Sequence, residues 1–233
     1  MKLTRFYILF VLCVLRANSQ AQQADTLCLL DTNDVAVSPY CFVWMEDKAK
    51  FPDTYFYDTT GKVIRTADLF KDKPVIFITG SYSCPAFRNN ATRIRREMRK
   101  KAETHDIYFV YLHEAHPVKG SPYGPIMDNY FLNVQENVYI ERQTYLYERM
   151  DYARRLKHDY NIISPILIDN EHNDFFLQVF SGPNGYMEFT ADRVLKHQRA
   201  WYYNKIQKRK TKRRLRQQAR KKYKEQIKWI RKI

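Results

Sequence analysis

The chain has 233 residues, 45% of them hydrophobic and 15% aromatic, with a formal net charge of +15. That composition excludes a wholly disordered chain, and the length suits one domain of roughly 150–200 residues with appendages. The charge is concentrated at one end. Residues 201–233 hold 15 Lys and Arg against one acid, Glu225, so the first 200 residues are close to neutral and a uniformly basic nucleic-acid coat is excluded.

At the start of the chain, Lys2 and Arg5 precede an apolar run over residues 6–15, and small residues stand at Ser19 and Ala21. A basic start, a short apolar stretch and small residues before a cut after Ala21 make residues 1–21 a secretory signal peptide. The run is too short to span a bilayer, which needs about 20 residues. Arg16, directly after it, leaves an uncleaved anchor as the alternative. The protein is therefore expected to be exported, either periplasmic or secreted, and soluble or membrane-peripheral. Cleavage would remove Cys13 and leave Cys28, Cys41 and Cys84. An odd count in an oxidising compartment suggests one disulfide and one free thiol. Cys28 and Cys41, in an irregular N-terminal arm over residues 22–50, are the natural pair, and Cys84 is left free.

The domain is expected over residues 51–200. Residues 51–65, turning at Thr59-Thr60-Gly61-Lys62, read as a hairpin. Residues 75–79 (VIFIT) form a continuous β-branched and aromatic run, as expected of a strand buried on both faces. Gly80-Ser81-Tyr82-Ser83-Cys84-Pro85 follows, and then Phe87, Ala91, Ile94, Met98 and Ala102 recur at helical spacing. Pro85 suits the first turn of that helix. A second apolar run, residues 107–112, completes a strand–helix–strand unit with parallel strands. Cys84 thus lies between a strand end and a helix start, where backbone N–H groups and the helix dipole favour an anion. A thiol there has its pKa lowered and acts as a nucleophile at a solvent-facing edge. The competing reading is a small buried hydrophobe.

The stretch from Asp72 to Phe87 resembles the active-site segment of the iodothyronine deiodinases, in which a strand ends in Gly-Ser, a selenocysteine follows, and Pro-x-Phe opens a helix. Tyr111-Leu112-His113-Glu114-Ala115-His116-Pro117 is similar to the family's second strand end, Tyr-(Ile/Leu)-Glu-Glu-Ala-His. Gly182-Pro183-Asn184-Gly185-Tyr186 resembles its late Gly-Pro-x-Gly-Tyr/Phe turn. The three matches come in family order across about residues 51–197. The resemblance implies an α/β, thioredoxin-like fold: a central mixed sheet flanked by helices, here with an N-terminal extension and a basic C-terminal helix. The chain departs from the family at Cys84, in the selenocysteine position, at Tyr82, where some members have Cys, and at His113 in place of the first Glu. Ser164-Pro165 with residues 166–169 is expected to be the proline-preceded strand facing the catalytic site, with a cis bond beside Cys84 and residues 175–180 as its pairing strand. Alternatively it matches the family's earlier Pro-x-Leu-x-Asp strand, and a later hairpin is missing.

Glu114 and His116 lie past the second strand, on the edge where open parallel sheets bind ligands. His116 is expected to shuttle a proton or pair with the thiolate, Glu114 to orient it, and Ser81 and Ser83 to donate to the sulfur. His113 is secondary and points away. The chemistry implied is thiol redox, with Cys84 attacking a halogen, peroxide or sulfur centre. There is no Cys-x-x-Cys, so resolution falls to Cys28, Cys41 or an external thiol reductant. No cofactor and no metal cluster is expected. Residues 116–139 read as a lid, residues 143–160 as a helix and Thr190–Ala200 as the last domain helix. Asn90-Ala91-Thr92 is a formal glycosylation triplet within the catalytic helix. The tail over residues 201–233 could form a basic amphipathic helix with Leu215, Ala219, Tyr223, Ile227 and Ile230 on one face. Such a helix suits an anionic membrane surface or an acidic partner, which would make the protein a binding or scaffold protein rather than an enzyme. Nucleic acid is the least suited partner.

Overall fold

The computed structural model describes residues 43–199. The signal segment, most of the N-terminal arm with Cys28 and Cys41, and the basic tail lie outside the described residues. Seven strands form one sheet: β1 (Tyr55–Tyr57), β2 (Val63–Arg65), β3 (Val75–Gly80), β4 (Asp106–Tyr111), β5 (Ile166–Asp169), β6 (Tyr186–Phe189) and β7 (Leu195–Arg199). Their order is β2-β1-β5-β4-β3-β6-β7. Strands β3, β4 and β5 are parallel, whereas β1 runs antiparallel to β5 and β6 runs antiparallel to β3. Helices α1 (Thr66–Leu69), α2 (Pro85–Lys101), α3 (Phe131–Gln135) and α4 (Leu146–Asp159) complete the described chain. This is a mixed α/β sheet with flanking helices, the architecture expected from the resemblance.

All six residues of β3 are buried, which accounts for its unbroken apolar run. Phe77 of β3 faces an aromatic cluster with Phe51, Phe56, Phe175 and Phe189, at ring separations of 5.0, 6.3, 5.8 and 5.8 Å. Gly80 faces the other side. There Phe87, at the start of α2, packs on Phe109 of β4 with ring centroids 5.2 Å apart. Ile94 and Met98 extend the buried face of α2. The hairpin β1–β2 forms where its alternation and Gly61, with φ of 88°, place it. Its turn is held by the Asp58 carboxylate, which accepts from the amides of Thr60 and Lys62. Helix α4 likewise occupies the expected segment, burying Leu146, Met150, Ala153 and Leu156.

Four expectations are corrected. Strand β5 lies beyond β4 rather than beside β3, which is the alternative, earlier position, but the later hairpin which that alternative left out is present as β6 and β7. Pro165 precedes it at the amino-end edge, where its carbonyl accepts from the Phe109 amide, on the side of the sheet opposite Cys84. The described residues contain no cis peptide bond, so Ser164–Pro165 is trans. Residues 175–180 do not make a pairing strand. The Asp169 carboxylate accepts from the amides of Phe175 and Phe176 at 3.0 and 2.9 Å and winds Phe175–Val179 into a π-turn. The antiparallel pair comes later, as β6 and β7. It displaces the expected last helix because Thr190 and Arg193, the latter at φ of 70°, close a tight turn that reverses the chain. Strand β6 is pinned beside the end of β3 by Thr79. Its hydroxyl donates to the Gly182 carbonyl and accepts from the Gly185 amide.

The close contact at Gly80 makes a direct test. A Cβ built there would sit 2.3 Å from Phe109 Cζ and 3.0 Å from Phe87 Cδ2, both in fully buried rings. Gly80→Ala is expected to destabilise the fold by about 1–3 kcal/mol, read from the midpoint of urea unfolding.

Candidate functional site

The parallel register aligns Gly80 with Tyr111, so β3 and β4 end level with one another. The turns that follow them, Ser81–Cys84 and Leu112–His116, are stitched together by hydrogen bonds. Glu114 is the main stitch. Its Oε2 accepts from the Ser83 amide at 2.6 Å, and its Oε1 accepts from the Tyr82 amide at 3.3 Å and from the Tyr111 hydroxyl. Burial pushes this carboxyl above its ordinary range, against the pull of Ser83, Tyr111 and the two amides. Ser81 Oγ accepts from the Ala115 amide at 3.2 Å and Ser83 Oγ from the His116 amide at 2.9 Å. The serines and Glu114 therefore build the platform. The roles read from sequence, donation to the sulfur and orientation of His116, are replaced by these contacts.

Cys84 is the N-cap of α2 with Pro85 in the first turn, as expected. Its environment differs from the expected solvent-facing edge. The residue is 1% exposed, and burial pushes the thiol up to about 11. The amides of Phe87 and Ala86 and the Arg88 guanidinium oppose that shift, while Glu114 adds to it. In this state the sulfur is a protonated thiol at neutral pH. It is the one free cysteine among the described residues.

His116 lies on the same edge, but its ring is turned away into the following segment. Nδ1 is 3.2 Å from the Met127 carbonyl, which only accepts, so Nδ1 carries the proton. The ring stacks on Tyr130 at 4.6 Å. Burial first, then Arg88, lowers its pKa to about 4. A neutral imidazole cannot form the expected ion pair with a thiolate at pH 7. The cation beside Cys84 is Arg88, one turn along α2, on a helix whose other faces carry many bases and so give it no distinguishing signal in sequence.

His113 is buried and accepts at Nδ1 from Arg149 Nη2 at 3.3 Å, with its pKa driven well down by burial and then by Arg149. Arg149 is itself fully buried on α4. Its Nη1 donates to the Asp169 carbonyl at 3.0 Å and its Nη2 to Asn173 Oδ1 at 2.8 Å. Its place three residues after Leu146 and one before Met150, on the apolar stripe of that helix, was the available signal for a buried base. Asn90, in the glycosylation triplet, is buried and donates to the Ala86 carbonyl.

The segment over residues 116–139 covers this edge. Asn133 of α3, 1% exposed, donates to the Ser83 carbonyl at 2.9 Å and to the His116 carbonyl at 3.1 Å. Arg88 donates to the Tyr82 carbonyl, to Asn133 Oδ1 and to Glu136 Oε2, the last at 2.6 Å. Tyr123 donates to the Ser181 carbonyl, and its hydroxyl is held well above its ordinary value by burial and then by the nearness of Cys84 and Glu114. Beside the site, a cleft of about 510 Å³ is lined by Arg142, Tyr152, Arg155 and neighbouring residues. Arg155 lies 5.2 Å from the Tyr82 ring and 5.3 Å from the Tyr152 ring. Cys84 is not part of the cleft's lining. Among the described residues no group of His, Cys, Asp and Glu is arranged to hold a metal ion. The structure thus gathers Cys84, Glu114, Ser81, Ser83 and Pro85, turns His116 aside and leaves Pro165 at the far edge.

No protein-family model matches the chain, and no curated protein matches its sequence. Among solved structures, a hypothetical protein from Sinorhizobium meliloti is similar at 10% identity and a TM-score of 0.48, over 67% of this chain and 72% of that one. A peroxiredoxin-like protein from Aquifex aeolicus is similar at 12% identity and a TM-score of 0.42, over 67% and 77%. A secreted disulfide oxidoreductase from Mycobacterium tuberculosis is similar at 9% identity and a TM-score of 0.38, over 61% and 80%.

The bonds from Arg88 to Glu136 and Asn133 tie the covering segment to α2 beside the sulfur. Glu136→Ala is expected to speed alkylation of Cys84 by up to about fivefold, since a partly exposed ion pair contributes up to about 1 kcal/mol. Peptide mass spectrometry at fixed pH, with the melting temperature unchanged, reads it. An unaltered rate would show that the pair does not hold the segment down.

Proposed function

We propose that the chain is a thiol oxidoreductase in which Cys84 is the nucleophile. The observation that carries this reading is the sulfur's position: the first turn of α2, faced by the amides of Ala86 and Phe87, at the edge where β3 and β4 end. Those donors suit a sulfur anion, and the Glu114 stitch holds the turn that presents them. The reading takes the covering segment to open before reaction, which restores water to the site and lets the thiol ionise.

With a peroxide, the thiolate takes the terminal oxygen, the O–O bond breaks, and the alkoxide leaves with a proton as alcohol. The sulfur is oxidised to a sulfenic acid. One external thiol then forms a mixed disulfide and releases water, and a second restores the Cys84 thiol and leaves as the external disulfide. With an aryl halide, the sulfur takes the halogen as a sulfenyl halide and the carbon takes a proton. The same two thiols regenerate Cys84 and release hydrogen halide. The similarity of residues 72–87 and 111–117 to the deiodinases supports the second course. An external thiol is the reductant in both, and the basic–apolar start of residues 1–21 supports an exported location. Among the described residues no helix is long and apolar enough to cross a membrane.

A second reading, a non-catalytic binding or scaffold protein, is favoured by the buried, protonated thiol. Turnover on a panel of peroxides, disulfides and halogenated phenols with a small thiol reductant separates the two. Cys84→Ser is expected to lower turnover at least about a hundredfold, the loss typical of a removed nucleophile. Equal rates for both proteins, or none for either, would leave the binding reading.

The thiol's raised pKa has its own consequence for pH. Below about 11 most of the sulfur is protonated, so the reactive fraction grows as pH rises. Alkylation of Cys84 in the folded protein is expected to climb about tenfold per unit between pH 7 and 10. A rate already flat at pH 8 would mean that the thiol is not raised.

A further inference from the structure

Helix α4 turns one side to the cleft of about 510 Å³ beside the site. Glu148, Asp151, Tyr152 and Arg155 line it at i, i+3, i+4 and i+7, one stripe of the helix, and Glu141 and Arg142 come from the segment before it. The volume lies within the range of small-molecule sites, roughly 300–1,000 Å³.

Most of the charges in this cleft are already satisfied. The Glu148 carboxylate accepts from the amides of Thr144 and Tyr145 at 2.7 and 3.0 Å and so caps the helix. Asp151 pairs with Arg154, which also donates to the Thr59 carbonyl, and Arg142 is likewise engaged. Two opposite charges are left over. The Glu141 carboxylate and the Arg155 guanidinium are exposed, and neither makes a hydrogen bond or ion pair among the described residues.

Arg155 is nevertheless held in place. Its guanidinium lies 5.2 Å from the Tyr82 ring centroid and 5.3 Å from that of Tyr152, so two aromatic rings fix its position. A guanidinium held on rings keeps its in-plane N–H groups for a planar acceptor, and a carboxylate takes two of them at once. Glu141 stands around the same tyrosine. The Tyr152 hydroxyl is pushed up by burial first and then by Glu114, with Arg155 opposing and Glu141 adding.

We infer that this cleft binds a short peptide or amino-acid derivative as its zwitterion, with the carboxylate on Arg155 and the ammonium on Glu141. The ligand class follows from the two signs. A phosphate or other dianion would meet three carboxylates, those of Glu141, Glu148 and Asp151, and an apolar ligand would desolvate both leftover charges without replacing their water. The inference does not depend on the chemistry of Cys84, which is not part of the lining.

The test is titration calorimetry of the full chain with trialanine and with its two blocked forms, one acetylated at the N-terminus and one amidated at the C-terminus. Trialanine is expected to bind, and each blocked form to bind at least about tenfold more weakly, since hydrogen bonds to charged groups are the strong ones in such a contact. Two variants assign the ends. Arg155→Gln is expected to weaken trialanine as much as amidation does and to be indifferent to amidation, whereas Glu141→Gln is expected to be indifferent to acetylation. Both residues are exposed, and an unchanged melting temperature shows that each variant is folded. No binding of trialanine at about 10 mM would overturn the inference, because a contact weaker than that lacks both charge pairs. Equal binding of all three peptides, or the same response to blocking in both variants as in the unaltered chain, would overturn it as well.

Discussion

A single buried carboxylate organises the functional edge of this protein. Glu114 lies one turn past β4, yet its two oxygens are taken by amides of the turn past β3 and by the hydroxyl of Tyr111. Parallel strands share no hairpin, so nothing in the backbone ladder fixes how the loops at their carboxyl ends meet. Here a side chain does it. An ionised carboxylate left unpaired in this place would be far too costly, and three or four donors are what make its burial tolerable. The position of Cys84, the direction of the α2 amides and the seating of Asn133 on the Ser83 carbonyl all depend on that turn.

The chemistry of Cys84 is a contest between two effects of different size. A helix N-terminus contributes about 0.3–1 kcal/mol to a nearby anion, which is less than one pKa unit at 1.36 kcal/mol each. Complete burial moves a thiol further than that and in the other direction, and the net displacement is upward. Motif position alone predicts an activated sulfur, because the motif reports the helix and not the cover. The cover is built from Asn133, Tyr123 and Glu136, the last held by Arg88, and these three are far from Cys84 in sequence and carry no recognisable pattern.

What was legible in the sequence was local. The β3–α2–β4 unit announces itself by two apolar runs, a helical stripe and Pro85, and the first hairpin by Gly61 and its neighbours. The strand after Pro165 was recognisable as a strand. Its neighbours were not, because sheet order is decided by distant partners and two parallel positions suit the same residues. The π-turn at Phe175–Val179 comes from Asp169 reaching forward to two amides, which a count of β-branched and aromatic residues does not register. Strand β7 reads Leu-Lys-His-Gln-Arg, with one buried residue, as an edge strand does. The turn before it uses Arg193 at positive φ, where glycine would have given a signal. Of the site, Cys84 and Glu114 stood out by motif. Arg149 and Arg88 did not, since a base on a helix is ordinarily solvated.

The strand order also bears on how the protein is made. Both flanks of the central unit close through later partners: β3 through β6, more than a hundred residues on, as the contact of Thr79 with Gly182 shows, and β4 through β5, as the register of Phe109 with Ile166 shows. A ribosome releases the β1–β2 hairpin and the β3–α2–β4 unit long before β5, β6 and β7 exist. During that interval β3, apolar on both faces, has one strand beside it and an open edge on the other side. Long-range pairing of this kind is slow, and exposed strand edges invite association. The emerging chain therefore passes through a stage in which its most buried strand is its most vulnerable one, and only the last quarter of the domain ends it.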